Sequence, residues 1–395
     1  MLSIVILNWN GCKMMQRYLP SVVEYSHGAD IIVADNASTD ESLQMLERDF
    51  PDVRVIPMAR NWGFANGYNN AFKVLEAHDI GDETPYKSPL RHKPRKSDAP
   101  ILGKDNYYLL LNSDVRVEEG WLTPLLEYMD SHSDVAACQP KLLSDANPQM
   151  FEYSGACGGF IDKYGYPYCR GRVFGVVEND EGQYDEVTDV LWASGACLMI
   201  RASDYWAAGG LDGRFFAHHE EIDLCWRLNL MGRRVVCVPQ SRVYHLGGGT
   251  LPQGNPRKTY LNFRNNLTML YKNLPDDSSS AAPLSRSEVL YARKWLDRLA
   301  ELKMLLTFHW GDYRAIIKAR RDFNAWKAKF DEEHEKIQEK SVKRPPVGPT
   351  DISILWQFYV NKKKTFSQMK SEKSGCRWGT DVIIILNFLN SQFSI

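Results

Sequence analysis

Four short apolar runs punctuate the first third of the chain: Ile4 to Leu7, Ile31 to Ala34, Val53 to Pro57 and Tyr107 to Leu111. Stretches with helical spacing lie between them. A strand buried on both faces has no polar side, so uniformly apolar runs alternating with helices predict an α/β protein built on a mainly parallel sheet. After the second run, Ser38 and Glu41 have capping-box spacing and lead into Leu43, Met45 and Leu46. The loop therefore ends at a helix start. A cap role is already available to Ser38 and Asp40, which leaves Asp35, at the carboxyl end of the second strand, free for another task.

The pattern breaks between His78 and Asp105, where prolines and bases replace large aliphatic residues, so 79–105 reads as an exposed insertion. Sheet-forming character returns from Val135 to Leu143. A Gly/Tyr-rich segment from Gly155 to Gly175 predicts loops and short strands, and Trp192 to Ile200 is a further buried run. Ala202 to Ala208 and Ile222 to Met231 read as helices stopped by Gly209-Gly210 and Gly232. Val235 to Val238 and Val243 to His245 are extended. Past Asn273 the sequence from Leu284 to about His334 is a long amphipathic helical stretch. The expected organisation is a unit over 1–275, a helical region over 284–370 and a tail over 371–395.

At 395 residues, 44% hydrophobic and 25% charged, this is the composition of a folded globular protein. The net charge of -1 and the lack of a basic module with interleaved aromatics argue against a nucleic-acid partner. Eight cysteines without a Cys-x-x-Cys pair suit a reducing, cytoplasmic setting. The start at Met1 runs directly into a strand pattern rather than a leader, and no apolar run approaches the roughly 20 residues of a membrane-spanning helix.

Candidate chemistry collects at strand ends. Asp114 closes the run Tyr107 to Leu111 through Asn112-Ser113-Asp114, and ligands of α/β sheets bind outside the carboxyl ends of strands. A lone carboxylate there suits Mg2+ or Mn2+ sharing its other ligands with water and phosphate, with a turn aspartate as the competing reading. Asn8, Asn10, Asp35, Asn36, Asn61 and the pair Glu220-Glu221 fall at similar places. Such a spread fits a nucleotide-bearing substrate. No G-x-G-x-x-G follows the first strand, where Asn8-Trp9-Asn10-Gly11 stands, and no phosphate-binding loop of the G-x-x-x-x-G-K-[ST] type occurs. His218 and His219 do not make a zinc site, since neighbours on a strand face opposite ways and no third ligand has suitable spacing.

The first 270 or so residues resemble glycosyltransferase family 2, an inverting group, and within it the rhamnosyltransferase-like members. The resemblance rests on Ile4 to Gly11, Val33 to Asp40, Asn61-Trp62-Gly63-Phe64-Ala65-Asn66-Gly67-Tyr68-Asn69, Leu111 to Asp114, Ser194-Gly195-Ala196, Gly209 to Asp212, Glu220 to Arg227 and Val243-Tyr244-His245, in that order. It implies a GT-A, Rossmann-like nucleotide-diphospho-sugar transferase fold with C-terminal helices. It also implies that Asp35 contacts a nucleobase, that Asn61 to Asn69, including Asn66, border the donor, and that Asn112 and Asp114 hold the family's metal-binding D-x-D position. His245 would approach the metal or the diphosphate as a neutral imidazole. The family's Glu-Asp is Glu220-Glu221 here, and one of the two would be the base that deprotonates an acceptor hydroxyl. Arg264 could neutralise the leaving diphosphate, or make a surface ion pair. The aromatics from Tyr153 to Tyr168 could stack on a sugar or pack as core.

The implied activity is sugar transfer, with rhamnose favoured, from a nucleoside diphosphate to a saccharide or lipid-linked glycan in cell-surface polysaccharide synthesis. A leucine stripe at Leu296, Leu299, Leu302, Leu305 and Leu306, beside Arg293, Lys294, Arg298 and Lys303, either packs on the catalytic unit or docks on the inner face of an anionic membrane. The rivals are a nucleotidyltransferase and a degenerate glycan-binding or scaffold subunit.

Overall fold

The computed structural model of the chain describes residues 1–79, 105–247, 255–278 and 281–369. The expectations placed on 80–104 and on the tail 371–395 lie outside the described residues.

The first half alternates as the apolar runs require: β1 (Leu2–Asn8), α1 (Cys12–Tyr25), β2 (Asp30–Asp35), α2 (Ser42–Asp49), β3 (Arg54–Pro57), α3 (Gly63–Asp79) and β4 (Tyr107–Leu111). Next come β5 (Val115–Val117), α4 (Leu122–Ser131) and β6 (Val135–Ser144). The Gly/Tyr-rich segment folds into β7 (Gly159–Ile161), β8 (Pro167–Cys169), β9 (Arg172–Val173) and β10 (Val176–Val177), a small antiparallel sheet. The chain then runs through β11 (Thr188–Asp189), β12 (Cys197–Arg201), α5 (Ala202–Ala207), α6 (Glu220–Leu230) and β13 (Arg234–His245). It continues with α7 (Pro256–Asn273), α8 (Arg286–Leu306), α9 (Trp310–Trp326) and α10 (Asp331–Lys340).

The main sheet has the order β11-β13-β6-β12-β4-β1-β2-β3, with β5 added to β13. Pairing is parallel across β4-β1-β2-β3 and between β6 and β13, while β12 runs antiparallel between β4 and β6. Two apolar layers cover it. One joins Met15, Leu19, Met45, Leu125 and Met129 to one sheet face; the other joins Phe72, Tyr205, Trp226 and Leu270 to the opposite face. Val289 of α8 belongs to that second layer, and Ile337 of α10 packs on it. The C-terminal helices thus share the core of the sheet.

Three local expectations change. The capping box at Ser38 does not form: α2 begins at Ser42 with no side-chain cap, because the Ser38 hydroxyl instead accepts from Asn8 Nδ2 (3.0 Å) and the Asn10 amide (2.9 Å). The stretch from Leu284 is broken near Phe308, whose backbone is left-handed (φ 59°), into α8, α9 and α10. Val235 to His245 is one strand with a register shift between Val238 and Arg242.

Candidate active site

The carboxyl ends of β1, β2 and β4 open on one edge, and register places each polar residue there. Asn8 is fully buried and donates from Nδ2 to Asp35 Oδ1 (2.9 Å), while Asp35 Oδ2 accepts from the Ser38 amide (3.0 Å). Asp35 is therefore not free, as the sequence suggested; it ties β1 to the loop after β2. Asn36 donates to Asn61 Oδ1 (3.1 Å) and the Gly63 carbonyl (3.0 Å), and accepts from the Trp62 amide (2.9 Å). Asn66 backs onto Gly213, where an added Cβ would fall 2.0 Å from Asn66 Oδ1. These residues form one braced polar rim.

Asp114 and His245 meet because β5 pairs antiparallel with the end of β13, setting Val115 opposite His245. His245 Nε2 lies 3.1 Å from Asp114 Oδ1 and 3.3 Å from Asn112 Nδ2. On the other side of the ring, Nδ1 lies 3.2 Å from Glu152 Oε1. Burial alone would lower the imidazole pKa, but the two carboxylates more than reverse this and raise it to about 10. Between these two carboxylates the ring favours the imidazolium form, and the neutral form expected of a metal ligand would require it to release that proton. Burial also opposes ionisation of Asp114, yet the bond to His245 holds its carboxyl below the usual value.

Among the described residues no cluster of three or more His, Cys, Asp and Glu side chains is arranged to hold a metal. A divalent ion bound through a substrate's phosphates needs fewer protein ligands. Octahedral Mg2+ at about 2.1 Å places neighbouring ligands about 3 Å apart. The 3.1 Å between Asp114 Oδ1 and His245 Nε2 matches that spacing, so these donors fit such an ion once the imidazole releases its proton.

Glu220 and Glu221 open α6, and the approach to them is unusual. Phe216, His218 and His219 are all left-handed, with φ of 67°, 73° and 72°. The two histidines are in a tight loop and not on a strand as the sequence reading assumed. Left-handed backbone is costly for residues with side chains and persists only where surroundings impose it. Here the fully buried Asn265 of α7 imposes it, donating from Nδ2 to the carbonyls of Phe215 (3.0 Å), Ala217 (2.8 Å) and His218 (2.8 Å). Arg264 assists: its Nη2 donates to the carbonyls of Arg214 (3.2 Å) and Phe215 (3.1 Å), and its guanidinium stacks over Trp326 (4.5 Å). The phosphate role expected for Arg264 is therefore corrected, because Nη2 is committed to this loop, Nε to Asn265 Oδ1 and Nη1 to the Tyr260 hydroxyl.

The loop also carries unmet polar atoms. Trp62 Nε1, His218 Nε2, His219 Nδ1, Glu220 Oε2 and Glu221 Oε2 are buried without a hydrogen-bond partner among the described residues. Burial keeps both histidines neutral, with pKa values lowered to about 4 and about 3. Burial raises the Glu221 pKa to about 7; burial, together with the charge of Glu221, raises that of Glu220 well above its ordinary value. Asp223, one turn on, pairs with Arg227 and Lys272 instead.

The two halves of the site meet at Ser194-Gly195-Ala196. The Asn112 amide donates to the Ala196 carbonyl (3.0 Å), and a Cβ at Gly195 would lie 3.1 Å from the Phe64 ring and 3.7 Å from Glu221 Cβ. Of the aromatics considered for stacking, Tyr164 and Tyr168 are buried in packing, whereas Tyr153 is exposed. Glu152 and Asn265 escaped the sequence reading. Glu152 is far from His245 in the chain; they meet because β6 pairs with β13 and the chain after β6 folds back, the Glu152 amide donating to the Leu142 carbonyl (2.9 Å). Asn265 had a signal: it lies on the apolar stripe of α7 with Leu261 and Met269.

Residues 3–76 match the model of glycosyl transferase family 2. The chain is 25% identical over 252 residues to the N-acetylglucosaminyl-diphospho-decaprenol L-rhamnosyltransferase of Mycobacterium tuberculosis H37Rv, covering 62% of this chain and 75% of that one. It is 27% identical over 143 residues to the rhamnosyltransferase WbbL of Escherichia coli K12, covering 36% and 52%. Among solved structures, GalNAc-T7 with UDP, GalNAc and Mn2+ superposes with a TM-score of 0.50 at 17% identity, covering 84% of this chain and 56% of that one. The likeness places the fold among the GT-A glycosyltransferases.

Proposed function

We propose that the chain is an inverting family 2 glycosyltransferase, a reading supported by the match over residues 3–76 and by the rhamnosyltransferase relatives, and that Glu221 is the base of its transfer reaction. One observation carries this reading: a buried carboxylate whose pKa is about 7, with an unpartnered oxygen, stands across Gly195 from the Asp114 edge. A base works best when its pKa is near the ambient pH. Burial and the charge of Glu221 also raise Glu220 well above its ordinary value, and we assign it no role as base.

In the proposed step an acceptor O–H gives its proton to Glu221 as its oxygen attacks the anomeric carbon. The bond from that carbon to the diphosphate breaks with inversion, and the nucleoside diphosphate leaves with the electron pair. Asp114 and His245 would hold Mg2+ or Mn2+, which when bound offsets the charge of the leaving diphosphate. Asp35, Asn36, Asn61 and Asn66 would border the nucleotide, with 1–275 as the unit carrying the chemistry. Both rhamnosyltransferase relatives support rhamnose as the sugar, and the decaprenol-linked substrate named for one of them supports a lipid-linked glycan acceptor at a membrane surface. Nucleotidyl transfer, the enzymatic rival, has no support from these relatives.

The test is donor hydrolysis and transfer across thymidine, uridine and guanosine diphosphate sugars with Mn2+ or Mg2+, for the wild type, Asp114→Ala and Glu221→Gln. The expected result is turnover of one donor that chelator and both substitutions abolish. Nucleotide binding without turnover of any donor, in the presence of lipid-linked acceptor, would favour a glycan-binding subunit; Asn112 in place of an acidic residue is the feature that keeps that reading alive.

A further inference from the structure

We propose that the outward faces of α8 and α9 and the turn between them dock the protein on an anionic lipid surface. The leucine stripe read from the sequence does not do this. Leu296 is buried, and Arg293 is buried in a bond to Asp297 (3.1 Å), so that side of α8 faces the protein. The exposed side carries Trp295, Leu302 and Leu306, spaced seven and four apart and hence on one helical face. Phe308 at the turn is 76% exposed, and Trp310 and Ile317, seven apart on α9, continue the apolar surface. Large apolar side chains standing together in water mark an interaction site.

The charges around them choose the partner. Between residues 290 and 321 six bases are exposed: Lys294, Arg298, Lys303, Arg314, Lys318 and Arg321. No carboxylate in that span is exposed, since Asp297 and Glu301 are buried and Asp312 is half-buried. Arg298 leans toward Glu301, and Lys318 and Arg321 share Asp322, which leaves Lys294, Lys303 and Arg314 to set the field of the face. Aromatic residues with flanking bases on an amphipathic helix fit the boundary between headgroups and acyl chains. A second copy of the chain is disfavoured as the occupant, because a symmetric dimer would set these bases against one another. No described helix is long and apolar enough to cross a membrane, so the contact is with the surface.

Position gives the face its use. A Cβ at Gly311 would lie 2.6 Å from Pro256 Cγ, and Thr259 donates to Asp312 (2.6 Å), so the exposed turn abuts the start of α7. From that same helix start Arg257 reaches over Phe216 (5.2 Å), in the loop that delivers Glu221. A lipid surface against Phe308 and Trp310 thus borders the site edge. This purpose rests on the proposed transfer to a lipid-linked acceptor; the docking itself can be read without turnover.

The experiment is co-flotation of the full chain with phosphatidylcholine vesicles, with and without phosphatidylglycerol. Binding should be about tenfold or more tighter to the anionic vesicles and weaken with salt. A Trp295→Ser, Phe308→Ser, Trp310→Ser triple variant and a Lys294→Glu, Lys303→Glu, Arg314→Glu triple variant should each lose about tenfold or more, while melting as the wild type does because the side chains are exposed. Equal binding to both vesicle types, no binding, or binding that neither variant weakens would overturn the proposal, as would a wild-type dimer in light scattering that the variants dissociate. Donor hydrolysis by the wild-type chain separates the two readings: hydrolysis without flotation removes docking alone, and flotation without hydrolysis removes the transferase reading alone.

Discussion

The Asp114 edge and the Glu221 loop lie on either side of Gly195 and are built on opposite plans. At the first, the carboxylates have partners: Asp114 and Glu152 flank His245, and Asn8 braces Asp35, although Asn8 Oδ1 itself is left unmatched. At the second, Glu220 and Glu221 each keep a buried oxygen, Oε2, with no partner among the described residues, as does His218 Nε2. Partnered carboxylates stay ionised and rigid, which suits holding charge, whereas an unpartnered buried carboxylate is raised toward neutrality, which suits moving a proton. On the proposed mechanism, the first region would bind charge and the second would move a proton.

The largest effect that could break this division is at Glu221. Replacing it with glutamine keeps shape and removes the base, so kcat should fall by about 10²–10⁴ with nucleotide affinity retained. In the wild type, kcat/KM should climb as pH rises through about 7, because the base works only after losing its proton. A climb that survives Glu221→Gln would reassign it to another group. A smaller effect tests the partnered side. Glu152 touches His245 from behind, in the manner of a carboxylate that orients a metal-bound imidazole, so Glu152→Gln should weaken Mn2+ binding by about 10–100-fold. Electron paramagnetic resonance titration of Mn2+ reads this directly, and unchanged affinity would reduce Glu152 to a packing residue.

How far the sequence could anticipate this followed from whether the determinants were local. The four apolar runs became β1 to β4, and Asp114 at the end of β4 could be placed from the run alone, because burial on both faces writes itself into consecutive residues. The stops at Gly209 and Gly232 were equally local. What failed were the bonds that side chains make over long distances. Ser38 had the spacing of a cap but was claimed by Asn8 and Asn10 from β1. Arg264 had the chemistry of a phosphate ligand but was claimed by carbonyls about 50 positions away. His245 was readable as a candidate ligand beside Asp114, yet its charge depends on Glu152, which reaches it through the β6–β13 pairing and the fold-back after β6. Glu220 and Glu221 could be picked out but not told apart, since burial sets their order.

The last effect is on stability and comes from one helix. Glu220 and Asp223 lie three residues apart in α6, both buried, and their pKa values move in opposite directions. Burial, and then the charge of Glu221, raises that of Glu220; burial pushes Asp223 the same way, but Lys272 and Arg227 overcome it. A carboxyl raised on folding binds its proton more tightly in the native state, so stability falls as pH rises above its unfolded value of about 4.3. A lowered carboxyl contributes stability at neutral pH that is lost as pH falls through the acid range. Glu220→Gln should therefore raise the melting temperature at pH 8 and change it little at pH 4. Asp223→Asn should lower it at pH 8 by leaving Lys272 and Arg227 short of a partner, an effect of about 3–5 kcal/mol for a broken buried pair. Thermal unfolding of both variants at the two pH values decides the matter: a Glu220→Gln protein less stable than the wild type at pH 8 would mean that this carboxylate is ionised and paired, and the contrast between the two sides of the site would not hold.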